Sequence, residues 1–560
     1  MRICAALAVL TAALAAAHGA TLDVAPPGGS AAFDTIQAAV DKAQGGDKIF
    51  IHGGVYRESV KIKAAGAPQA PIILEAAPGE EVTITGADPL PSDKWEKLPD
   101  RPVWRYTPWT YRGCAWNKLM AHPADERHKL IGRTEQVILD GKLLRQVLEL
   151  GSMDPGTFCA DPINEKALFV RLPGDDSPAR HRIEASVRHT LMAITGSNVI
   201  VRNLHFRHAS NPAQRGALVI EGDHNVVEDC IVESSNGSGA SLRGDHNTAR
   251  RLISRYNGQI GMSGGGSDNR MEECRLIENN VKGFSKGWEA GGIKVAVSRR
   301  FHILRSVAVE NDGTGFWFDI DNRNEVIERC YSARNNGPGI FVEISETATV
   351  RNNLCVQNGL KDEPGAWGNA GISLGESMNC IVENNVCVGN RSGFAVRQQG
   401  LRVLKSDPAR DRPEEKRYYS QGHVFRRNIS AFNRDWQFVL FGDNPFFGPH
   451  PTIPRDKQPE PTPDVMALFN PDLRGWRLEQ NLYFKGDGKG LICWGAPWRP
   501  KHQVYDDLSA FQREHKLEQG SLVADPQFAD VQKEKSDLSP TSPARQIGAG
   551  FTEAPVTYAP

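Results

Sequence analysis

Two short runs of residues, set 24 positions apart, constrain this chain more than any other feature. Phe316, Phe318 and Ile320 alternate with Trp317, Asp319 and Asp321, and Ile340, Val342 and Ile344 alternate with Phe341, Glu343 and Ser345. Strict alternation marks a strand with one face buried. A related phrase, in which an apolar residue leads polar ones and then alternation, recurs from about residue 190: VEDCIV at 227–232, MEECRL at 271–276, IERCYS at 327–332 and VENNVCV at 382–388. With Leu204, Cys230, Leu252, Cys274, Ser306, Cys330, Leu354 and Val386 taken as equivalent, the steps run from 22 to 32 residues. One such repeat cannot bury its own apolar face and must stack on its neighbours. Leucine-rich repeats share the period, but their Leu/Asn signature is absent. Alternation with Gly and Asn at the corners favours a right-handed parallel β-helix, an all-β fold.

The rest of the chain divides around this repeat. Residues 1–20 carry Arg2, then an Ala/Leu/Val run, then small residues, the pattern of a secretory leader. A secreted or periplasmic protein is therefore expected. No later apolar run is long enough to span a bilayer. Lys plus Arg number 66 against 67 for Asp plus Glu, so charge gives no case for nucleic acid or an anionic membrane as partner. Residues 21–88 read as an N-terminal cap, with an amphipathic segment at Ile36–Ala43 over the open end, followed by the first coils. Across 89–185 the repeat disappears, Trp95, Trp104, Trp109 and Trp116 crowd together, and Asp-Gly turns signal hairpins. This stretch reads as an inserted β-sandwich module. Residues 186–490 form the β-helix proper, and 491–560 a C-terminal cap with a helix in DDLSAFQREHKLEQGS, a short strand and an extended tail. The longer steps place extra residues in loops at 281–290, 359–369 and 401–421, which overhang one face. Asn279, Asn311 and Asn335 recur at one corner and suit a hydrogen-bonded ladder. Cys230, Cys274 and Cys330 fall where a small inward hydrophobe is wanted, so they read as core and not as bridges. There is no CxxC and no metal-ligand spacing, and neither a metal nor a cofactor is expected.

If 24 residues make one coil, the second run lies beside the first at a spacing of about 4.8 Å. Asp319 then neighbours Glu343 on the outer face, and Trp317 neighbours Phe341. Two carboxyls about 5 Å apart have the geometry of a retaining glycosidase. The aromatic pair offers a flat surface for a sugar ring. Lys294, in the preceding coil, is placed to hold Asp319 ionised or to bind a hydroxyl. Asp321, one outward place further on, is a substrate-binding candidate and a rival nucleophile. Weaker candidates for the groove are Trp288 and Glu289 before Lys294, Trp367 and Asn369 after Glu343, and Arg397 and Gln398 two coils on. Trp436 and the FFGPHP stretch suggest a far wall. Against all of this stands the plain reading that outward carboxylates keep a solenoid soluble.

The succession GGIKVAV, GFWFDIDN, GIFVEIS resembles glycoside hydrolase family 120, whose consecutive coils read approximately GIK, GIWLDW and FVE. The resemblance implies a β-helical retaining β-xylosidase-like enzyme with Asp319 in the nucleophile's place and Glu343 in that of the acid/base, acting on an oligosaccharide or polysaccharide. The module at 89–185 resembles that family's sandwich. The chain departs from the pattern at Ile320–Asp321, where the family has a second aromatic, and at Ser345–Glu346, where it tends to have His-Gly. Two other classes remain open. One is a polysaccharide lyase with Lys294 as base, Arg299 and Arg397 nearby, and calcium on Asp319 and Asp321. The other is a non-catalytic glycan-binding β-helix.

Overall fold

Three long sheets run the length of the protein, each of 13 strands and each parallel through the body of the solenoid. The computed structural model describes residues 19–112, 130, 132–363, 368–398, 402–442, 474–495, 503–530 and 535–558. Every coil visits the three faces in turn. In the coil that carries Asp319, the first face holds His302–Leu304, the second Val307–Val309 and the third Thr314–Asp319. Single residues in the left-handed region turn the corners: Arg305 at φ 47°, Glu310 at φ 59° and Asn324 at φ 60°. An L-residue rarely adopts that conformation, so something must hold it there.

Ladders of buried amides do the holding. At the corner between the second and third faces, Asn279, Asn311, Asn335, Asn358 and Asn390 each donate a side-chain N–H to the Oδ1 of the next, ending at Asn433, at 2.8–3.2 Å. Each also takes up a backbone N–H from the coil below. A second ladder, Asn353–Asn385–Asn428–Asn481, pins the corner between the first and second faces. The inside is apolar, with Phe316, Phe318, Ile340 and Val342 fully enclosed. Cys230, Cys274 and Cys330 lie in this core as free thiols, which burial pushes up to about 12.

The solenoid is interrupted and then resumes. Val60–Ile62 pairs with Met192–Ile194, Ile72–Ala76 with Val199–Arg202, and Val82–Thr85 with His205–Arg207. Strands more than a hundred residues apart in sequence are thus adjacent coils. Between them stand a four-stranded and a five-stranded sheet. These pack Trp95, Tyr106, Trp109, Val137, Phe158, Leu168 and Ile183 between them. The four-stranded sheet includes Ala87–Pro89 and Ile183–Ser186, so the sandwich begins and ends with the strands that leave and re-enter the solenoid.

At the N-terminal end, the helix Ile36–Val40 buries Ile36, Ala39 and Val40, with Thr35 as its cap. At the other end, the helix Leu508–His515 is capped by Asp507 and buries Leu508 and Phe511. The coils run past residue 490: Gly490–Trp494 extends the third face and Leu522–Val523 the second. The tail then turns back along the outside of the second face. Ala544, Ala549, Phe551 and Val556 cover Val309, Tyr331 and Val356 there.

The ladder makes a specific demand on Asn335. Its amide donates to the Ala308 carbonyl, to Ser332 Oγ and to Asn358 Oδ1, and it accepts from Asn311. Asn335→Ala strands buried donors and acceptors on both neighbouring coils, at about 1–3 kcal/mol for each group left without a partner. Denaturant unfolding of the variant is expected to show that loss without a change in secondary-structure content.

Candidate active site

The third face carries the site on its outer side. Thr314–Asp319 pairs in parallel with Ile340–Glu343, with Trp317 opposite Phe341 and Asp319 opposite Glu343. The preceding strand, Gly291–Arg299, sets Lys294 opposite Trp317. The following strands are Ile372–Gly375, with Gly375 opposite Glu343, and Phe394–Gln398, with Arg397 opposite Gly375. Five successive coils therefore present a column of Lys294, Trp317 with Asp319, Phe341 with Glu343, Gly375, and Arg397.

Each acid has its own cation. Lys294 Nζ lies 2.7 Å from Asp319 Oδ2, and the Arg397 guanidinium donates to Glu343 Oε1. The aromatic rings have cations too. Trp317 and Phe341 stack at 5.6 Å with 24° between their planes, Lys294 Nζ sits 3.9 Å from the Trp317 ring centre, and Arg397 sits 4.7 Å from that of Phe341. Cation–π contact of this kind is worth about 0.5–2 kcal/mol. The rings are 3 % and 6 % exposed. Their faces are spent on each other and on the cations, so they do not form the open platform that alternation suggested. They act as a packed spacer between the two charged columns.

Asp319 is 5 % exposed, and its second oxygen, Oδ1, has no hydrogen-bond partner among the described residues. A buried acceptor left unpaired is rare and costly. Burial and the neighbouring charge of Glu343 push the Asp319 carboxyl up to about 6, against the opposing pull of Lys294 and Arg402. One oxygen is thus oriented by an ammonium and the other is unengaged.

Gly375 makes the Arg397–Glu343 contact possible. A Cβ at that position would meet Arg397 Nε at 2.9 Å and the Phe341 ring at 3.2 Å. The guanidinium crosses a coil that has no side chain in its way. Sequence reading named Arg397 but not Gly375, because a lone glycine in a strand also marks a bulge or a corner.

Asp321 lies elsewhere. The strand ends at Asp319, and Ile320 and Asp321 both take left-handed conformations, at φ 62° and 59°. The alternation therefore breaks. Ile320 turns out to 37 % exposure and Asp321 becomes fully buried. Its carboxylate is held by Arg412, by Arg299 at 3.5 Å, by Arg323 at 3.3 Å and by the Tyr418 hydroxyl at 3.3 Å. It is an ion-pair node under the 402–418 segment and not an outward side chain, so it neither touches a groove nor competes as nucleophile. With three arginines around it, Asp321 does not join Asp319 in the calcium site considered from sequence.

The remaining candidates separate. Trp288 is half-buried against Phe284, and its carbonyl accepts from Lys294 Nζ at 2.7 Å, so it supports the site through its backbone. Glu289 is buried and accepts from Gln214 Nε2 at 2.7 Å, tied to a neighbouring loop. Gln398 is buried and accepts from the Ser420 N–H. Trp436 packs near Ala395, Val439 and Phe441 on the outer third face. Trp367 and the FFGPHP stretch lie outside the described residues. A separate cavity of about 980 Å³ sits between the sandwich and the solenoid, lined by Leu143, Phe158, Tyr256 and Lys282 among others, away from the acid pair.

Residues 189–387 match the family described as "Right handed beta helix region". Among curated proteins there is no significant match to the sequence. Two solved structures share the fold. XylC, solved in complex with xylose, is 17 % identical with a TM-score of 0.58, covering 87 % of this chain and 88 % of its own. A glycoside hydrolase is 12 % identical with a TM-score of 0.50, covering 68 % of this chain and 95 % of its own.

Gly375→Ala is expected to push Arg397 off Glu343, visible as a broken ion pair in a crystal structure of the variant, with a stability loss of about 1–3 kcal/mol from overpacking. At these identities the likeness is one of architecture: the chain is a right-handed parallel β-helix with an inserted β-sandwich, built on the same plan as XylC.

Proposed function

We propose that this protein is a glycan-active enzyme, a retaining glycoside hydrolase of β-xylosidase-like type acting on plant or algal polysaccharide or its oligosaccharides. The observation that carries the proposal is the Asp319–Glu343 pair: adjacent in register, enclosed, and with Asp319 Oδ1 unengaged. Neighbouring parallel strands set such carboxyls about 5 Å apart, the separation at which one attacks while the other handles the proton. The fold likeness to XylC, solved with xylose, supports the same class of substrate.

In this reading the pair holds one proton between them, carried by Glu343 in the reactive form: Asp319 Oδ1 attacks the anomeric carbon while Glu343 gives that proton to the departing glycosidic oxygen. The bond from carbon to that oxygen breaks and an ester to Asp319 forms. Once esterified, Asp319 carries no charge, and Glu343 takes a proton from water as the water oxygen displaces the ester. Both carboxyls then return to their starting forms. Lys294 holds Asp319 Oδ2, which fixes the direction of Oδ1 and favours the ionised state needed for attack. The leader-like first twenty residues, of which 1–18 lie outside the described structure, support export.

The lyase reading needs Lys294 as a base. Its ammonium instead donates to Asp319 and to the Trp288 carbonyl and sits over Trp317. These are contacts that a cation makes and that a proton acceptor does not. The non-catalytic reading leaves the unpaired buried Oδ1 without a purpose.

Nitrophenyl glycosides and plant or algal polysaccharides, followed by proton NMR of the first-formed sugar, test the proposal. Release with retained configuration is expected, and Asp319→Asn and Glu343→Gln should each cost at least about 10²–10⁴-fold in kcat. Unsaturated uronate absorbance would instead establish a lyase. The value of about 6 is that of Asp319 beside a charged Glu343, so it marks the loss of the proton the pair shares, and kcat/KM should fall as the pH rises through about 6. Lys294→Met removes a group that lowers that value and should move this limb to higher pH.

A further inference from the structure

The segment after Arg397–Gln398 folds into an antiparallel hairpin, Arg402–Leu404 against Lys416–Tyr418. It lies over the corner where the catalytic strands end. Its root is tied to the site, since Ser420 Oγ donates to the Arg397 carbonyl at 3.1 Å. Its far side is bolted to the corner by several contacts. Arg412 and the Tyr418 hydroxyl donate to Asp321, Arg299 donates to the Arg410 carbonyl at 2.8 Å, Arg323 donates to the Asp411 carbonyl at 3.1 Å, and Lys416 pairs with Glu346. Tyr418 also packs with Ile344, Met378 and Leu404. The first residue of the hairpin, Arg402, is close enough for its charge to bear on Asp319.

Asp321 is the centre of that attachment and lies two residues beyond Asp319. A fully buried carboxylate with three guanidinium partners is expensive to desolvate and gains its place through the geometry it fixes. We infer that Asp321 is a positioning residue: by clamping the 402–418 hairpin to the end of the Asp319 strand, it fixes the segment whose root holds the Arg397 backbone and so steadies Arg397 on Glu343. This rests on the reading of Asp319 and Glu343 as the reacting pair. The charges that act on Asp319 are Glu343 on the next coil, Lys294 in contact with it, the exposed Arg402 of the hairpin at longer range, and Arg397 across Glu343. Withdrawing the hairpin removes one cation from that set. Arg402 lowers the proton affinity of Asp319, so its withdrawal moves the limb of the pH–rate profile near pH 6 upward.

Asp321→Asn is the direct variant. Arg412→Gln cuts the same contact from the hairpin side and leaves Asp321 with Arg299 and Arg323, which guards against a misfolded Asn variant. In the full-length protein three readouts are expected to change together. Amide hydrogen exchange at Leu404, Lys416 and Tyr418 accelerates; kcat falls by about 10–100-fold, the size of effect that a misplacement of about 1 Å produces, with KM changing less; and the limb near pH 6 shifts to higher pH. Unchanged exchange in both variants overturns the proposal. So does a loosened hairpin with kcat and the limb near pH 6 unmoved while Glu343→Gln still abolishes activity, a result that leaves the catalytic pair standing. If the parent protein cleaves no glycoside, the reading of the pair fails separately. The clamp is then judged by hydrogen exchange and by carboxyl-carbon NMR of Asp319, and an unmoved titration overturns it.

Discussion

Parallel pairing in strict register is the constraint on which the rest depends. When a coil returns to the same face after 24 residues, like positions stack, and whatever a position carries is repeated at about 4.8 Å along the axis. Apolar residues stacked inward make a core. Asparagines stacked at a corner make a ladder in which each side-chain amide donates to an oxygen on the next coil and to a carbonyl on the one before. Carboxylates stacked outward repel, and here Asp319 and Glu343 are stacked outward. The architecture that makes the solenoid cheap to extend is the one that makes this pair costly.

The surrounding column offsets that cost. Lys294 lies one coil below the acids and Arg397 two coils above Glu343, so the run is closed at both ends by a positive charge. The same two cations cap the Trp317–Phe341 stack. Rings and acids sit two residues apart on each strand, so one cation serves both columns. Gly375 completes the arrangement by leaving the coil between Glu343 and Arg397 bare. A side chain there would have ended the column one coil early.

Much of this was legible in the sequence because it follows from period alone. The offset of 24 residues fixed the partner of Asp319, and the small residues recurring at Cys230, Cys274 and Cys330 located the inner face. Alternation could not foresee its own end. Asp321 looked equivalent to Asp319 because it sits two places along, but two successive left-handed residues turn the chain there and send its carboxylate inward. The hairpin at 402–418 was visible only as surplus length. Its partners, Asp321 and Glu346 on the solenoid against Arg412 and Lys416, are 70 and more residues apart and follow no period. The aromatic pair misled for a different reason. Exposure was inferred from facing outward, whereas on a solenoid an outward ring can be buried by the ring and the cation above and below it.

Those differences change how the site works. If the rings were open platforms, substrate binding would rest on stacking and the acids would be free to find their own positions. With the rings packed face to face, lateral movement of Asp319 against Glu343 would have to shear an aromatic stack capped by charge at both ends. The spacing of the acids is therefore held by neighbours that touch no substrate, which is the kind of rigid support a precise site needs. What is left unconstrained is small: the Oδ1 of Asp319, which the column encloses without satisfying. An acceptor in that state is poised either for a hydrogen bond that the protein withholds or for a bond to carbon. Its carboxyl, pushed up to about 6 by burial and by Glu343, is ionised at neutral pH and only weakly solvated, and such an oxygen is a stronger nucleophile than a hydrated surface carboxylate would be.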